Sequence, residues 1–538
     1  MVMTIGEKIA GLRLSKNMSQ EELADRICVS RQSVSKWELN RAVPQIDKVL
    51  LLAEIFQVSL EEFLKGESIK DLTPAKKGGY FGTDGFRGEA NKELTSLHAY
   101  KIGRFLGWYF QKENGGEKKN ARPRILIGKD TRRSSYMLEY SIIAGLTASG
   151  ADAYMLHVTT TPCVSFITNQ EGFDCGIMIT ASHNPFYDNG IKIINCRGEK
   201  MDDKTISYVE NYLDGDLKSL GISEGDLPYA KGAGVGLVED FSSGRNRYLG
   251  YLLSIASNSF KNLKIGLDCA NGASWMLAKT AFESLGAQVI KIGVDPNGLN
   301  INEDCGSLHP EHLCALVREN KLDVGFAFDG DCDRCIAVDE QGRVVDGDAI
   351  LYLLGKRLKE KDMLNGDTVV STVMSNSGLV ASLKKIGIKS EQTKVGDRFV
   401  YERMLEKNYS LGGEQSGHII LKKYATTGDG LLTAIVIAEE LCDKKAPISK
   451  LVEEVYLYPQ YTENLRVKDK NEVLADEEVK KTVDIVKEKI GDQGRALVRA
   501  SGTEPLIRVM IESPTEELCK EYARCIIEKI IERGYSIE

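Results

Sequence analysis

A chain of 538 residues, 42% hydrophobic and 28% charged, has the composition of a soluble globular protein and the length for several separately packed domains. Its net charge of -8 argues against a chain devoted wholly to nucleic acid, although one domain can depart from that average. No apolar stretch approaches the ~20 residues of a membrane span. The start has no apolar signal region, and the twelve cysteines follow no framework spacing, so a reducing cytoplasm is the expected location.

Residues 1–66 read as short helices. Ser19 with Glu22, and Ser59 with Glu62, fit capping boxes. Between them "QEELADRICVSRQSVSKWELN" predicts a helix, a tight turn at Cys28-Val29-Ser30 and a second helix capped by Ser30. Leu23, Ala24, Ile27, Val34 and Trp37 then share one buried side, leaving Gln32, Ser33, Ser35 and Lys36 facing out beside Arg31. Short polar and basic side chains on a second helix suit contact with base edges and phosphates. With Gly11, Trp37, Pro44 and "KVLLLAEIFQVSLEEFL", residues 4–65 resemble the Xre/Cro repressor family. The segment's nine basic and nine acidic residues cancel, but five basic face two acidic between Arg26 and Lys48, which fits a phosphate-contacting face. A helical protein-interaction module is the alternative. Residues 67–79, with glycine, proline and charge but no periodicity, read as a linker.

After Tyr80 the pattern changes. "RILIG" precedes the amphipathic "MLEYSIIAGLTASG", "KIGLDC" precedes "SWMLAKTAFESLGA", and "DVGFAF" follows another helical run. Repeated strand–helix units predict α/β layers with parallel or mixed sheets. "GAGVG" at 232–236 lacks the last glycine of a nucleotide fingerprint, since Leu237 stands there; it reads as a joint between domains.

Four loops carry chemistry. In "FAFDGDCDRCIAVDE", Asp329, Asp331 and Asp333 recur at every second residue where a strand ends, a hard-oxygen set suited to Mg²⁺. The spacing also matches an EF-hand loop, but Arg334 replaces its turn glycine and both flanks are β-type. In "LGGEQSGH", Glu414, Ser416 and His418 lie between glycines and suit hydrogen bonding to several sugar hydroxyls or an amine. In "RASGTEPLIRVMIE", Arg499 and Arg508 bracket Ser501, Gly502 and Thr503, the makings of a phosphate seat. "TASHNPFYDNGIKI" presents Ser182 as an exposed serine, with Lys192 beyond an Asp188-Asn189-Gly190 turn as proton shuttle or charge partner. "FGTDGFRG" adds Arg87 on a glycine-rich loop. Together these describe phosphoryl transfer on a sugar phosphate.

In this order "TASHNPFYDNGIKI", "DGDCDR", "GEQSGH" and "RASGTEPLIRVMIE" resemble the α-D-phosphohexomutase superfamily, from Tyr80 onward. "GTDGFRG", "TKVGDRFV", "GGEQSGHI" and "SGTEP" look most like its phosphoglucosamine mutase family, with phosphomannomutase/phosphoglucomutase as the alternative. The resemblance implies an α/β four-domain architecture around a cleft: three α/β domains and a smaller α+β C-terminal domain, behind the all-α helix-turn-helix domain. The expected limits are 80–232, 233–337, 338–453 and 454–538. It implies phosphorylation of Ser182, Mg²⁺ held by that phosphate and the three aspartates, and a sugar bisphosphate as intermediate and activator. Arg87, His183, Lys192 and Arg334 would surround the transferring group. Glu414, Ser416 and His418 would read the sugar, and Arg499, Ser501, Gly502, Thr503 and Arg508 would hold the distal phosphate.

The sequence departs from that family at two places: Cys332 stands where glycine is usual, and the helix-turn-helix segment is additional. A hexosamine or hexose phosphate is thus the expected small-molecule partner, with DNA at the N-terminal segment, no membrane, and a homodimer possible. A sugar-phosphate-responsive transcription regulator is the reading from another class.

Overall fold

The computed structural model describes residues 5–16, 18–27, 29–40, 42–44, 46–56, 58, 79–114, 122–222, 226–491, 493–500 and 506–537. The chain divides into two compact units between Gly79 and Tyr80, where the linker was expected to end. The second capping box (Ser59, Glu62), Cys28 and residues 67–78 lie outside the described residues.

The first unit holds α1 (Ile5–Ser15), α2 (Gln20–Arg26), α3 (Arg31–Glu38) and α4 (Ile46–Phe56). Ser19 Oγ accepts the Glu22 N–H at 3.1 Å and Glu22 accepts the Ser19 N–H at 2.7 Å, closing the predicted box before α2. Ser30 caps α3 through the Ser33 N–H at 3.2 Å. Leu23, Ala24, Ile27, Val34 and Trp37 are buried as expected, packed with Ile9, Leu52 and Phe56. Arg31, Gln32 and Lys36 are exposed, but Ser33 and Ser35 are half-buried, a correction to the outward face. Ser33 Oγ turns back to Ser30 Oγ at 3.0 Å.

Among the described residues the second unit contains four sheets. The first runs β1 (Phe81–Gly82), β2 (Gly85–Glu89), β6 (Asp188–Asn195), β5 (Cys175–Ile179), β3 (Arg124–Lys129), β4 (Asp152–Val158) and β7 (Val238–Asp240). Its centre is buried on both faces, which is why "RILIG" and "CGIMI" are nearly continuous apolar runs. Ile125 and Ile127 join a core with Ile142 of the helix Arg133–Ala148, while Leu126 joins the opposite core with Val164 and Ile167. The expected joint at 232–236 precedes β7, so the chain still contributes a strand to the first sheet after it.

The second sheet is β12 (Val344–Val345), β11 (Cys335–Val338), β10 (Val324–Phe328), β8 (Lys264–Asp268) and β9 (Gln288–Ile292). The third is β14 (Lys389–Thr393), β13 (Thr368–Thr372), β15 (Leu411–Gly413) and β16 (Ile419–Leu421). The fourth is smaller and antiparallel: β17 (Gln460–Arg466), β19 (Leu506–Glu512) and β18 (Arg495–Ala500), backed by the helices Glu477–Ile490 and Glu516–Glu532. The chemical loops leave strand ends: Ser182 follows β5, Asp329 follows β10, and Glu414 to His418 join β15 to β16.

Fourth and third sheets are tied at one buried carboxylate. Glu512 accepts from Arg495 Nε at 3.1 Å and Nη2 at 2.9 Å, and from the N–H (2.9 Å) and hydroxyl (2.6 Å) of Ser377. Arg495 also donates to the carbonyls of Val373 and Ser375, so removing the carboxylate strands a half-buried guanidinium. Glu512→Ala should therefore destabilise the fold by about 3–5 kcal/mol, read by thermal unfolding of the full chain. An unchanged melting temperature would contradict it.

Candidate functional site

Ser182 is buried, 1% exposed, which corrects the expectation of an exposed serine. It lies at φ 52°, a left-handed conformation costing a serine about 1–2 kcal/mol. Several contacts hold it there. Its N–H donates to Thr180 Oγ1 at 2.9 Å, and its carbonyl accepts from Arg132 Nη2 at 3.2 Å and Asn302 Nδ2 at 2.9 Å. Arg132 is buried and paired with Asp130, so this grip is rigid. A Cβ at Gly330 would stand 2.5 Å from the Ser182 carbonyl oxygen, so the serine and aspartate loops meet backbone to backbone.

Across that contact Ser182 Oγ donates to Asp329 Oδ2 at 2.6 Å. Asp329, Asp331 and Asp333 are buried, with one ligand oxygen from each lying within 4.8 Å of the others. Strands β10 and β11 flank the loop, as expected against an EF-hand. Burial, with the charges of Asp333 and Asp331, pushes the Asp329 carboxyl well above its usual range. Asp333 moves the other way: burial raises it, but Lys192, His418 and Arg334 together hold it well below. Asp331 Oδ1 and Asp333 Oδ1 are buried acceptors without a hydrogen bond among the described residues, the vacant capacity a hard cation would fill. Cys332 sits in this loop at φ 61°, and burial pushes its thiol up, away from a thiolate ligand.

Two expected residues lie on strands rather than loops. Asp188, Asn189 and Gly190 open β6 instead of forming a turn, and Lys192 is carried on that strand. Its Nζ lies 2.9 Å from Asp331 Oδ2, 3.2 Å from Asp333 Oδ2 and 3.1 Å from Asp84 Oδ2. Burial opposes its charge, but these carboxylates outweigh burial and raise its pKa well above the ordinary value. Arg87 is on β2, not on a loop; it pairs with Asp84 and donates to Asn184 Oδ1 at 3.2 Å. His183 Nδ1 lies 3.3 Å from Ser182 Oγ. Burial, then Arg334 and Arg87, lowers the His183 pKa to about 3, so the imidazole is neutral. Arg334 completes the cluster, its N–H donating to Asp329 Oδ1 at 3.2 Å.

The β15–β16 turn approaches from the third sheet. Glu414 Oε1 accepts the Gly396 N–H at 3.1 Å, and Ser416 Oγ is buried without a hydrogen bond among the described residues. His418 faces inward: Gly428 N–H points at Nε2 at 3.0 Å, and Nδ1 is 3.7 Å from Asp333 Oδ1. On the fourth sheet Arg499 and Arg508 are direct cross-strand partners. Burial and the Arg508 charge lower the Arg499 pKa, a like-charge pairing that an anion would relieve. Ser501, Gly502 and Thr503 lie outside the described residues.

Sequence reasoning missed Asp84, Lys200, Asp397, Arg132, Asn302 and Thr161, whose hydroxyl donates to Asp331. Asp84 and Asp397 stood inside quoted motifs, "GTDGFRG" and "TKVGDRFV", and acid residues beside a basic cluster were the available signal. Asp84, Lys192, Lys200, Asp203 and Arg398 line a cavity of about 380 Å³. No described helix is long and apolar enough to cross a membrane.

Family models for phosphoglucomutase/phosphomannomutase match in sequence: alpha/beta/alpha domain I at 78–218, domain II at 246–342, domain III at 346–458 and the C-terminal domain at 463–529. A helix-turn-helix model matches 9–63. The phosphoglucosamine mutase of Lachnospira eligens is 54% identical over 460 residues, covering 86% of this chain and 100% of that protein. That of Bacillus subtilis is 48% identical over 453 residues, 84% of this chain and 98% of its own. Among solved structures, a Burkholderia thailandensis phosphoglucomutase/phosphomannomutase family protein aligns at TM-score 0.67 and 22% identity, covering 84% of this chain and 97% of that one. Aspergillus fumigatus N-acetylphosphoglucosamine mutase, in complex with glucose 1,6-bisphosphate, aligns at TM-score 0.60 and 16% identity, covering 86% and 97%. The chain belongs to the phosphoglucosamine mutase family: it is a phosphohexomutase enzyme with four mutase domains and an added N-terminal helix-turn-helix domain.

Proposed function

We propose that the enzyme interconverts glucosamine 6-phosphate and glucosamine 1-phosphate through phosphorylated Ser182. The observation that carries this reading is the Ser182 hydroxyl set 2.6 Å from a buried three-aspartate cluster. Asp329, Asp331, Asp333 and the Ser182 phosphate would hold Mg²⁺, which when bound neutralises charge on the phosphoryl oxygens. The orphaned Oδ1 atoms of Asp331 and Asp333 fit that ion.

In the forward direction the sugar O1 hydroxyl attacks phosphorus. The P–O bond to Ser182 breaks as the P–O1 bond forms, and the hydroxyl proton passes to an oxygen of the transferring phosphoryl group; His183, whose protonated form burial and two guanidiniums disfavour, is a poor acceptor. Lys192, held charged by its carboxylate cage, serves as a charge partner with Arg87 and Arg334. The resulting glucosamine 1,6-bisphosphate turns over, and its 6-phosphoryl returns to Ser182. A sugar bisphosphate thus also serves as activator, phosphorylating an idle serine. Glu414, Ser416 and His418 would read the sugar, while Arg499 and Arg508, with Ser501, Gly502 and Thr503, would seat the distal phosphate. This is cytoplasmic chemistry.

The N-terminal domain supports a second reading, a DNA-binding function. Arg31, Gln32 and Lys36 are exposed on α3 while Val34 and Trp37 anchor its inner side, as a recognition helix requires. Enzyme and regulator are compatible on one chain.

Incubation with glucosamine, glucose and mannose 6-phosphates, Mg²⁺ and a trace of bisphosphate, with product analysis, tests substrate choice; glucosamine 1-phosphate should dominate. Ser182→Ala should lose turnover by orders of magnitude while still binding substrate, because it removes a covalent relay and not ground-state contacts. Near-normal turnover would sink the relay.

Metal addition carries a sign. The folded Asp329 carboxyl sits above its unfolded value, so the metal-free chain loses stability as pH climbs from the ordinary carboxyl range through the raised pKa. Mg²⁺ should therefore raise the melting temperature more near about pH 8 than near about pH 5. At ~100-fold excess over Kd the gain is about 2.7 kcal/mol, and Asp331→Asn should shrink it. Equal gains at both pH values would contradict this account.

On DNA, selection from random sequences with the full chain should enrich a site. Gln32→Ala should relax one base preference by roughly 1–3 kcal/mol, whereas Lys36→Ala should weaken all sequences alike and flatten the salt dependence. No enrichment, with negligible bulk binding at low salt, would make the domain a protein-interaction module.

A further inference from the structure

Six side chains close a ring around the site, in which Lys192, Lys200 and His418 alternate with the carboxylates of Asp84, Asp397 and Asp333. Lys192 Nζ is 3.1 Å from Asp84 Oδ2, whose Oδ1 is 3.0 Å from Lys200 Nζ. Lys200 Nζ is 2.7 Å from Asp397 Oδ2, and that oxygen is 3.6 Å from His418 Nε2. His418 Nδ1 is 3.7 Å from Asp333 Oδ1, and Asp333 Oδ2 returns to Lys192 Nζ at 3.2 Å. The ring draws on three sheets: Asp84, Lys192 and Lys200 come with the first, Asp333 with the second, and Asp397 and His418 with the third.

Lys200 has no contact with the serine or aspartate loop, yet it bonds the first domain directly to the third. Its partner Asp397 opens the helix Asp397–Lys407, immediately after Gly396. Gly396 is held at φ 129°, where a side chain is strained, and its N–H donates to Glu414 at 3.1 Å. Fixing Asp397 therefore fixes the amide that orients Glu414. Neighbouring contacts point the same way: Arg398 Nη2 reaches Asp203 Oδ2 at 2.8 Å, and Tyr401 donates to Glu199 at 3.1 Å. Asp203 is 73% exposed, so its pair is screened by water, whereas Asp397 is 15% exposed. The Lys200 pair is the stronger tie.

We infer that Lys200 is a positioning residue: through Asp397 and the Gly396 N–H it holds Glu414 and His418 in register with the Ser182–aspartate cluster. Its effect on turnover rests on the mutase reading above; its effect on the geometry does not. It does not touch the reacting atoms, so its loss should misplace the sugar loop and leave the serine in place.

The test uses full-chain Lys200→Met, Asp397→Asn, the double variant and Lys200→Arg. Hydrogen exchange by mass spectrometry should show faster exchange at Gly396 and across 411–421 in both single variants. Exchange in β3 serves as the control for global folding. Turnover of glucosamine 6-phosphate should fall about 10- to 100-fold in Lys200→Met, the scale of a sub-ångström to ångström misplacement. The double variant should be no slower than the worse single, because both break one link. Lys200→Arg, which keeps the charge, should recover part of the loss. Unchanged exchange at Gly396 and 411–421, or losses that multiply in the double variant, would overturn the inference. If the parent chain converts no sugar phosphate, the mutase reading fails, while the exchange measurement still decides the register.

Discussion

Three carboxylates confined to one buried loop repel one another, and much of the mutase body is arranged around that repulsion. Lys192 answers it from a neighbouring sheet, carried on β6 so that one ammonium touches Asp331 and Asp333 together. Arg334 and Arg87 add further positive charge, and Asp84 balances the excess by pairing with Arg87, Lys192 and Lys200. The protonation states follow from this arrangement. Asp329 shares the loop with two like charges and is driven up, while His183, buried near two guanidiniums, stays neutral. The Ser182 hydroxyl therefore faces a carboxyl of this loop that resists ionisation.

The α/β layering was legible because the buried strands β3, β5, β8 and β10 leave continuous apolar runs and helices leave a 3.6-residue period, whereas the division into four domains came from the family resemblance. The chemical loops were legible because their residues are local: Asp329, Asp331 and Asp333 recur in five residues, and Glu414 to His418 also span five. What escaped was anything produced by pairing between distant strands. Asp84 meets Lys192 only because β2 lies antiparallel to β6, with Arg87 opposite Gly190. Lys200 meets Asp397 across 197 residues of sequence, and no spacing rule reaches that far. Burial was also hard to foresee. Ser182 stands among turn-forming residues that favour exposure, but Arg132 and Asn302 draw its carbonyl inward from two different domains.

The helix-turn-helix unit is built by other means. Its core is a handful of aliphatic side chains around Trp37, too small to dominate, and it is reinforced by a buried ion pair. Arg13 Nε reaches Glu38 Oε1 at 2.6 Å and Gln20 donates to Oε2 at 2.7 Å, so one carboxylate joins α1, α2 and α3. The pattern of apolar residues announced these helices, while the half-buried Ser33 and Ser35 were misjudged because a short helix has room for only one clean outward face.

Two positions in the aspartate loop, 332 and 330, differ in what they tolerate. Cys332 occupies a left-handed backbone conformation with its thiol directed into a core that accepts it. Gly330 has no such room, since any Cβ there meets the Ser182 carbonyl oxygen at 2.5 Å. Sequence drift can therefore enter this loop through 332 and not through 330. Cysteine at the first position leaves the three carboxylates clustered. At the second, the smallest side chain would pry Ser182 away from the carboxylates it faces.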